Sequence, residues 1–138
     1  MITIAIVDTG PLVAVANRAD PDHASCLEAL RAPGLHPVIP VLCIAEAAYL
    51  IARSQGPAVE AGFLRGLESF EMLAPSGSDW RRAAEIVAQY ADFPVGAVDA
   101  TVVVAAESLR TDLLITLDRR HFPAVRPKHC ESFRILPE

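Results

Sequence analysis

Paired cysteines are missing from this sequence. Its three, Cys26, Cys43 and Cys130, are odd in number, widely spaced and free of any C-x-x-C pattern. That excludes a disulfide framework and a cysteine zinc site, and it leaves thiols suited to a reducing compartment. Zinc-type histidine spacing is missing too. His23, His36, His121 and His129 form no H-E-x-x-H motif, and each reads as a surface or loop histidine. No glycine-rich phosphate loop is present. Lysine occurs once, as Lys128 near the C-terminus, so the strand-end lysine of a response-regulator receiver is lacking. Glu46 and Asp99 break the longest apolar stretches, leaving none long enough to span a bilayer. The start, Met-Ile-Thr-Ile-Ala-Ile-Val-Asp, has neither the basic segment nor the cleavage site of a secretory leader. These absences lead to the expectation of a cytoplasmic protein without membrane association.

What is present fits one globular domain over residues 1–138. A chain of this length buries roughly 68% of its unfolded surface on folding, so it needs no staple. It is 52% hydrophobic and 21% charged, with a mean hydropathy of +0.33, which is not the composition of a disordered chain. The net charge of −5 does not suggest a general nucleic-acid binder. The charge is uneven, however. Residues 119–138 hold Arg119, Arg120, Arg126, Lys128 and Arg134 against Glu131 and Glu138, a net of +3, and the remainder carries −8. A basic stretch on an acidic body either is a solvated surface or holds a phosphate backbone near an acidic site.

Short apolar strands alternate with helical stretches. Residues 2–7 are β-branched and apolar on both sides, as expected of a strand covered on both faces. Asp8-Thr9-Gly10-Pro11 ends it, with Thr9 able to cap a helix over 11–17. A helix is expected from Asp20-Pro21-Asp22 to Arg31, a short strand at 38–39, and an apolar helix over 41–54. Another helix is expected over 58–68, with Phe63, Leu64 and Leu67 on one face, and a strand over 70–73. Ser78 would cap a helix to Tyr90 that turns Trp80, Ala83, Ala84, Val87 and Tyr90 inward. A helix over 98–109 and strands at 113–117 and 133–136 complete the pattern. It implies an α/β fold of three layers, a mostly parallel sheet between helices. The crevice of such a sheet lies beyond the C-terminal ends of its strands.

Four of the seventeen acids stand out from their surroundings. Asp8 ends Ile-Thr-Ile-Ala-Ile-Val. Glu46 is the only ionisable acid or base in Val41–Ala52. Asp99 is alone between Pro94 and Ala106. Asp118 ends Leu-Leu-Ile-Thr-Leu. A carboxylate among apolar groups is costly unless paired or bound to a cation. Asp8 and Asp118 fall at strand ends, Asp99 in the first turn of its helix, and Glu46 about one turn into the helix after the 38–39 strand. All four can meet at one edge of the sheet. Singly, Asp8 and Asp99 are also ordinary helix caps, and Asp118 can start a turn in Asp-Arg-Arg-His. Glu46 has no capping role to explain it.

Converging carboxylates repel unless a cation lies between them. An all-oxygen donor set selects Mg²⁺ or Mn²⁺ over zinc, and carboxylate-held Mg²⁺ commonly acts on phosphate esters. Asp8, Asp99 and Asp118 are therefore expected to ligate metal, and Glu46 to ligate it or to orient water. Arg119 and Arg120 are candidate phosphate contacts. Other readings remain: a metal-dependent phosphatase on small molecules, or a silent binding module with a structural acid cluster. Asp8-Thr9-Gly10 also spells the aspartic-protease triplet, but here it precedes a helix and leaves Glu46 and Asp99 unexplained. A D-x-D phosphatase motif fails because residue 10 is glycine.

Taken together, Ile-Val-Asp8-Thr9-Gly10-Pro11-Leu12, Glu46 in an apolar helix, Asp99-Ala100-Thr101 and Thr116-Leu117-Asp118-Arg119-Arg120-His121-Phe122 resemble a PIN domain. The order and spacing are most similar to the VapC-type toxins of toxin–antitoxin pairs. The resemblance covers essentially the whole chain. It implies the PIN fold, Mg²⁺ or Mn²⁺, and endonucleolytic cleavage of RNA, with the acidic cluster at Asp8, Glu46, Asp99 and Asp118. Thr9 and Thr116 match the small hydroxyl positions beside that cluster. The resemblance also implies a homodimer and a small antitoxin that fills the active-site groove.

Overall fold

The strand that opens the chain lies at the centre of the sheet. In the computed structural model, which describes residues 1–138, β1 spans Thr3–Val7 and pairs in parallel with a neighbour on each side. Ala5, Ile6 and Val7 are wholly buried, which is why this strand is apolar on both faces. The chain continues through α1 (Thr9–Val15), α2 (His23–Leu30), β2 (Leu35–Pro40), α3 (Val41–Gln55), α4 (Pro57–Gly66) and β3 (Glu71–Leu73). It closes with α5 (Gly77–Gln89), α6 (Ala97–Ser108), β4 (Leu113–Ile115) and β5 (Arg134–Leu136). The five strands run in the order β3-β2-β1-β4-β5, and every pairing is parallel. Helices cover both faces of a sheet built by such crossovers.

That order places a topological switch between β1 and β4. From β1 the chain winds outward through β2 and β3, then returns to the other side of β1 through β4 and β5. The register pairs Ala5 with Leu113, Ile6 with Leu114 and Val7 with Ile115. Asp8 therefore leaves the sheet level with Thr116, and its N–H donates to the Ile115 carbonyl at 2.9 Å. Crevices for ligands form where the strand order reverses.

The core is one continuous cluster, largely aliphatic, with Phe122 and Phe133 as its aromatic members. Helix α6 buries every residue from Ala100 to Ala106, the behaviour of a helix that is apolar all round. Its burial fixes the position of its N-terminal turn, which carries Asp99.

Several local expectations change. Asp8 holds the N-cap position of α1 and Thr9 is its first helical residue. α5 is capped by Ser76, not Ser78. Ser76 and Asp79 form a reciprocal capping box, with the Ser76 N–H donating to the Asp79 carboxylate at 2.8 Å. The inward face of α5 also differs. Ala83 and Ile86 are buried and Tyr90 packs against the core. Trp80 and Val87 face solvent at 49% and 40% exposure, and Ala84 is exposed. The helix carries two apolar stripes, and Ile86 decides between them by entering the core. On α4, Phe63 and Leu67 pack inward, whereas Leu64 points out. The strand at 38–39 extends to Leu35–Pro40, because pairing with β1 begins at Leu35.

Candidate active site

Asp8 is the most enclosed of the four acids, at 7% exposure. Its N-cap position would let it cap α1, yet its carboxylate makes no capping bond. Instead Oδ2 accepts the Thr116 hydroxyl at 2.8 Å. The same hydroxyl oxygen accepts the Asp118 N–H at 3.0 Å. Thr116 thus ties together the ends of the two central strands. Burial raises the Asp8 pKa, the hydrogen bonds from Thr116 and from the Thr9 backbone work against the rise, and Asp118 and Glu46 add to it by repulsion.

Asp118 has a different setting. Its Oδ1 accepts the backbone N–H groups of Arg120 and His121 at 2.9 and 2.8 Å. Oδ2 lies 2.9 Å from Nδ1 of His121. Burial works to raise this carboxyl, but the donors from His121 and Arg120 outweigh it and hold the pKa below the usual range. Asp118 therefore shapes the turn that follows it while staying anionic. Three of about four lone-pair positions are taken, which leaves one to meet a cation.

Asp99 stands in the first turn of α6, half-buried, with its pKa raised to about 6. Burial is the chief cause, followed by the negative charges of Asp8 and Asp118, with Glu46 a smaller contributor. Glu46 lies on α3, in the turn beyond the buried Cys43. Its charge acts on both Asp8 and Asp99, so the four acids share one neighbourhood. Glu46 itself is exposed. The cost of burying a carboxylate, which singled it out in the sequence, falls chiefly on Asp8.

Three further residues belong to this neighbourhood and were not singled out beforehand. Cys43 is fully buried, with Sγ 3.9 Å from Asp8 Oδ1. Burial first, and then the Asp8 charge, keep it a neutral thiol. His121 pairs with Asp118, although its surroundings in sequence read as a loop. The i, i+3 spacing in Asp-Arg-Arg-His was the available signal. Phe93, in the loop before α6, has its ring centroid 4.8 Å from that of His121. The Arg120 guanidinium carbon lies 5.3 Å from the Phe93 centroid.

The basic C-terminal stretch is largely engaged within the molecule. The Arg119 guanidinium donates to the Pro137 carbonyl. Arg126 donates to the Glu131 carbonyl, Lys128 pairs with Glu85, and Arg134 pairs with Asp112. Arg120, in the turn shaped by Asp118, sets its guanidinium over the Phe93 ring instead.

No three Asp, Glu, His or Cys side chains surround one point as a ready cage for a metal ion. The donor chemistry nevertheless suits a hard cation. Four carboxylates repel one another here, and Thr9 Oγ1 is buried beside them without a hydrogen-bond partner. Mg²⁺ keeps several waters and takes only one or two carboxylates directly, so an open cluster fits it better than a closed cage would.

The PIN domain model matches residues 5–127 of the chain. The chain belongs to the PIN domain family. Ribonuclease VapC26 of Mycobacterium tuberculosis is 37% identical over 134 residues, covering 96% of this chain and 99% of the relative. Among solved structures, VapC20 of Mycobacterium tuberculosis, a sarcin-ricin loop cleaving toxin, superposes with a TM-score of 0.72 at 19% identity. That match covers 81% of this chain and 87% of the other. VapBC2 from Rickettsia felis, bound to a DNA fragment from its promoter, gives a TM-score of 0.72 at 18% identity, covering 96% and 98%. The all-parallel sheet and its flanking helices are the PIN fold, as the order of motifs implied. No helix is long and apolar enough to cross a membrane.

Proposed function

We propose that this PIN domain is a metal-dependent endoribonuclease, the toxin of a toxin–antitoxin pair. The observation that carries the reading is the Asp8–Thr116–Asp118 link at the switch point between β1 and β4, with Asp99 and Glu46 near enough to act on Asp8 or on one another by charge. Support comes from the 37% identity to a VapC ribonuclease over nearly the full length of both chains. Asp8, Asp99 and Asp118 would hold Mg²⁺ or Mn²⁺, with Glu46 as a further ligand or as the group that orients the attacking water. When bound, such an ion neutralises charge on the scissile phosphate and makes water more acidic.

The chain's own residues prepare the site. Thr116 fixes the Asp8 carboxylate by its hydroxyl at Oδ2, with Cys43 Sγ 3.9 Å from Oδ1 and a further hydrogen bond from the Thr9 backbone. His121 and the backbone of residues 120–121 hold Asp118 as an anion. Asp99 is placed by a helix that cannot shift without exposing its buried residues. Thr9 adds a buried hydroxyl oxygen with capacity to spare. Arg120, exposed and with its guanidinium engaged only with the Phe93 ring, would serve as a phosphate contact. Arg119 would have to release the Pro137 carbonyl to serve in the same way.

The expected partners are an RNA substrate, a small antitoxin protein and a second copy of the chain. The structural neighbours include VapBC complexes, in line with an antitoxin partner. Three free cysteines accord with action in the cytoplasm. The test is RNA cleavage by the purified protein with Mg²⁺, with Mn²⁺ and with excess EDTA, beside a generic phosphomonoester. Cleavage of RNA that stops in EDTA, with the phosphomonoester untouched, supports the reading. Full RNA cleavage in EDTA would remove the metal, and turnover of the phosphomonoester alone would favour a phosphatase.

A further inference from the structure

We infer that Phe93, with His121 and Arg120, is a stacking platform that seats an unpaired nucleobase beside the acid cluster. This deepens the ribonuclease reading and rests on it. The three residues come from two loops that each lead to an acid. Phe93 lies in the loop before α6, six residues ahead of Asp99. Arg120 and His121 form the turn that Asp118 shapes through its side chain.

Phe93 is only half-buried and lies outside the hydrophobic core, so packing alone does not account for it. Its ring rests against the His121 imidazole, tilted by 35°. That imidazole is held in turn by Asp118 at 2.9 Å. The aromatic surface is therefore anchored to the site's own carboxylate. Arg120 lies over the ring with an exposed guanidinium.

Every nucleobase has a π-face, and an aromatic ring beside a backbone-binding cation is the usual means of seating a single strand. An exposed cation–π contact is weaker than base–aromatic stacking. An incoming base displaces the guanidinium from the ring, and the guanidinium then reaches the phosphate of the same nucleotide. A paired base offers no free face, so the platform selects unpaired segments. In an otherwise acidic neighbourhood this pair of contacts offsets the repulsion between the phosphate backbone and the protein.

The test uses the full chain and a 12-nucleotide unstructured RNA carrying 2-aminopurine at one position at a time. Binding is measured in Ca²⁺ to limit turnover. Wild type should quench one position. Phe93→Ala should lose that quench and bind about 5- to 100-fold more weakly, the range that stacking of one base supplies. Phe93→Tyr should restore both. Phe93→Leu, which keeps the packing volume but not the ring, should restore the melting temperature and not the binding. An abasic nucleotide at the quenched position should erase the difference between wild type and Phe93→Ala. Equal binding by wild type and Phe93→Ala, or full rescue by Phe93→Leu, overturns the platform and leaves the ribonuclease reading standing. Wild type that neither binds nor cleaves any RNA overturns both.

Discussion

At the scale of single residues, Thr116 shows how the site is held together. Its hydroxyl donates to the buried Asp8 carboxylate and accepts from the Asp118 N–H. Thr116→Val keeps the shape and removes both bonds. A hydrogen bond to a buried charged group is worth about 1.5–3 kcal/mol, so loss of stability in that range is expected at neutral pH. The same change removes a contact that lowers the Asp8 pKa, which should rise further above its ordinary value. Chemical denaturation and carboxyl titration by NMR would check the two effects. An unchanged Asp8 titration in Thr116→Val would show that the bond is not made in solution. Residue scale is also where the sequence was least informative. Asp8 and Asp118 were legible because each ends an apolar strand. Cys43 and Phe93 were not, since a thiol in an apolar helix and an aromatic in a loop look ordinary until tertiary packing sets them beside a carboxylate or an imidazole.

At the scale of elements, helix and strand order was legible throughout, because the apolar periods and the proline and glycine punctuation agree with the fold. Faces were harder. Helix α5 carries Trp80, Ala84 and Val87 on one stripe and Ala83, Ile86 and Tyr90 on another. Both have helical spacing, and only the sheet and α6 decide which enters the core. The structure chooses Ile86, which is wholly buried, and leaves Trp80 half-exposed. Ile86→Ala should therefore cost about 2–5 kcal/mol, as large-to-small changes in a core do. Trp80→Ala in the monomer should cost well under the ~3–5 kcal/mol of a buried aromatic. Urea melts at low protein concentration would read both. A Trp80→Ala loss as large as that of Ile86→Ala would reverse the orientation of the helix.

At the scale of the whole molecule, the acid cluster couples stability to pH and, under the proposed metal role, should couple it to Mg²⁺. Asp99 titrates near pH 6 in the folded state, against an ordinary value of 3.8. The folded protein therefore binds more protons than the unfolded chain between about pH 4 and 6. Stability from this group is fully present below pH 3.8 and is lost as pH rises through about 6. Asp8, also raised, acts in the same direction. Asp118, lowered, acts in the opposite direction and only in more acidic solution. In EDTA, raising the pH from 5 to 7 should lower the melting temperature by way of the cluster. Mg²⁺ binds carboxylates once they lose their protons, so the shift that Mg²⁺ produces should grow over the same range. Asp99→Asn separates this from a helix-capping role. Removing one charge lowers the repulsion, so the metal-free variant should match or exceed wild-type stability at pH 7, by about 1 kcal/mol. Its magnesium shift should shrink, its stability should depend less on pH between 5 and 7, and RNA cleavage should collapse. If Asp99 served only the helix dipole, Asn would lose that charge interaction and stabilise nothing. Expression in a bacterial host extends the same comparison, since wild type should slow growth and Asp8→Asn should relieve it. Melts of wild type and Asp99→Asn at three pH values, with EDTA and with Mg²⁺, decide the matter. A metal-free Asp99→Asn protein that is clearly less stable, with a magnesium shift equal to that of wild type, would take Asp99 out of the site.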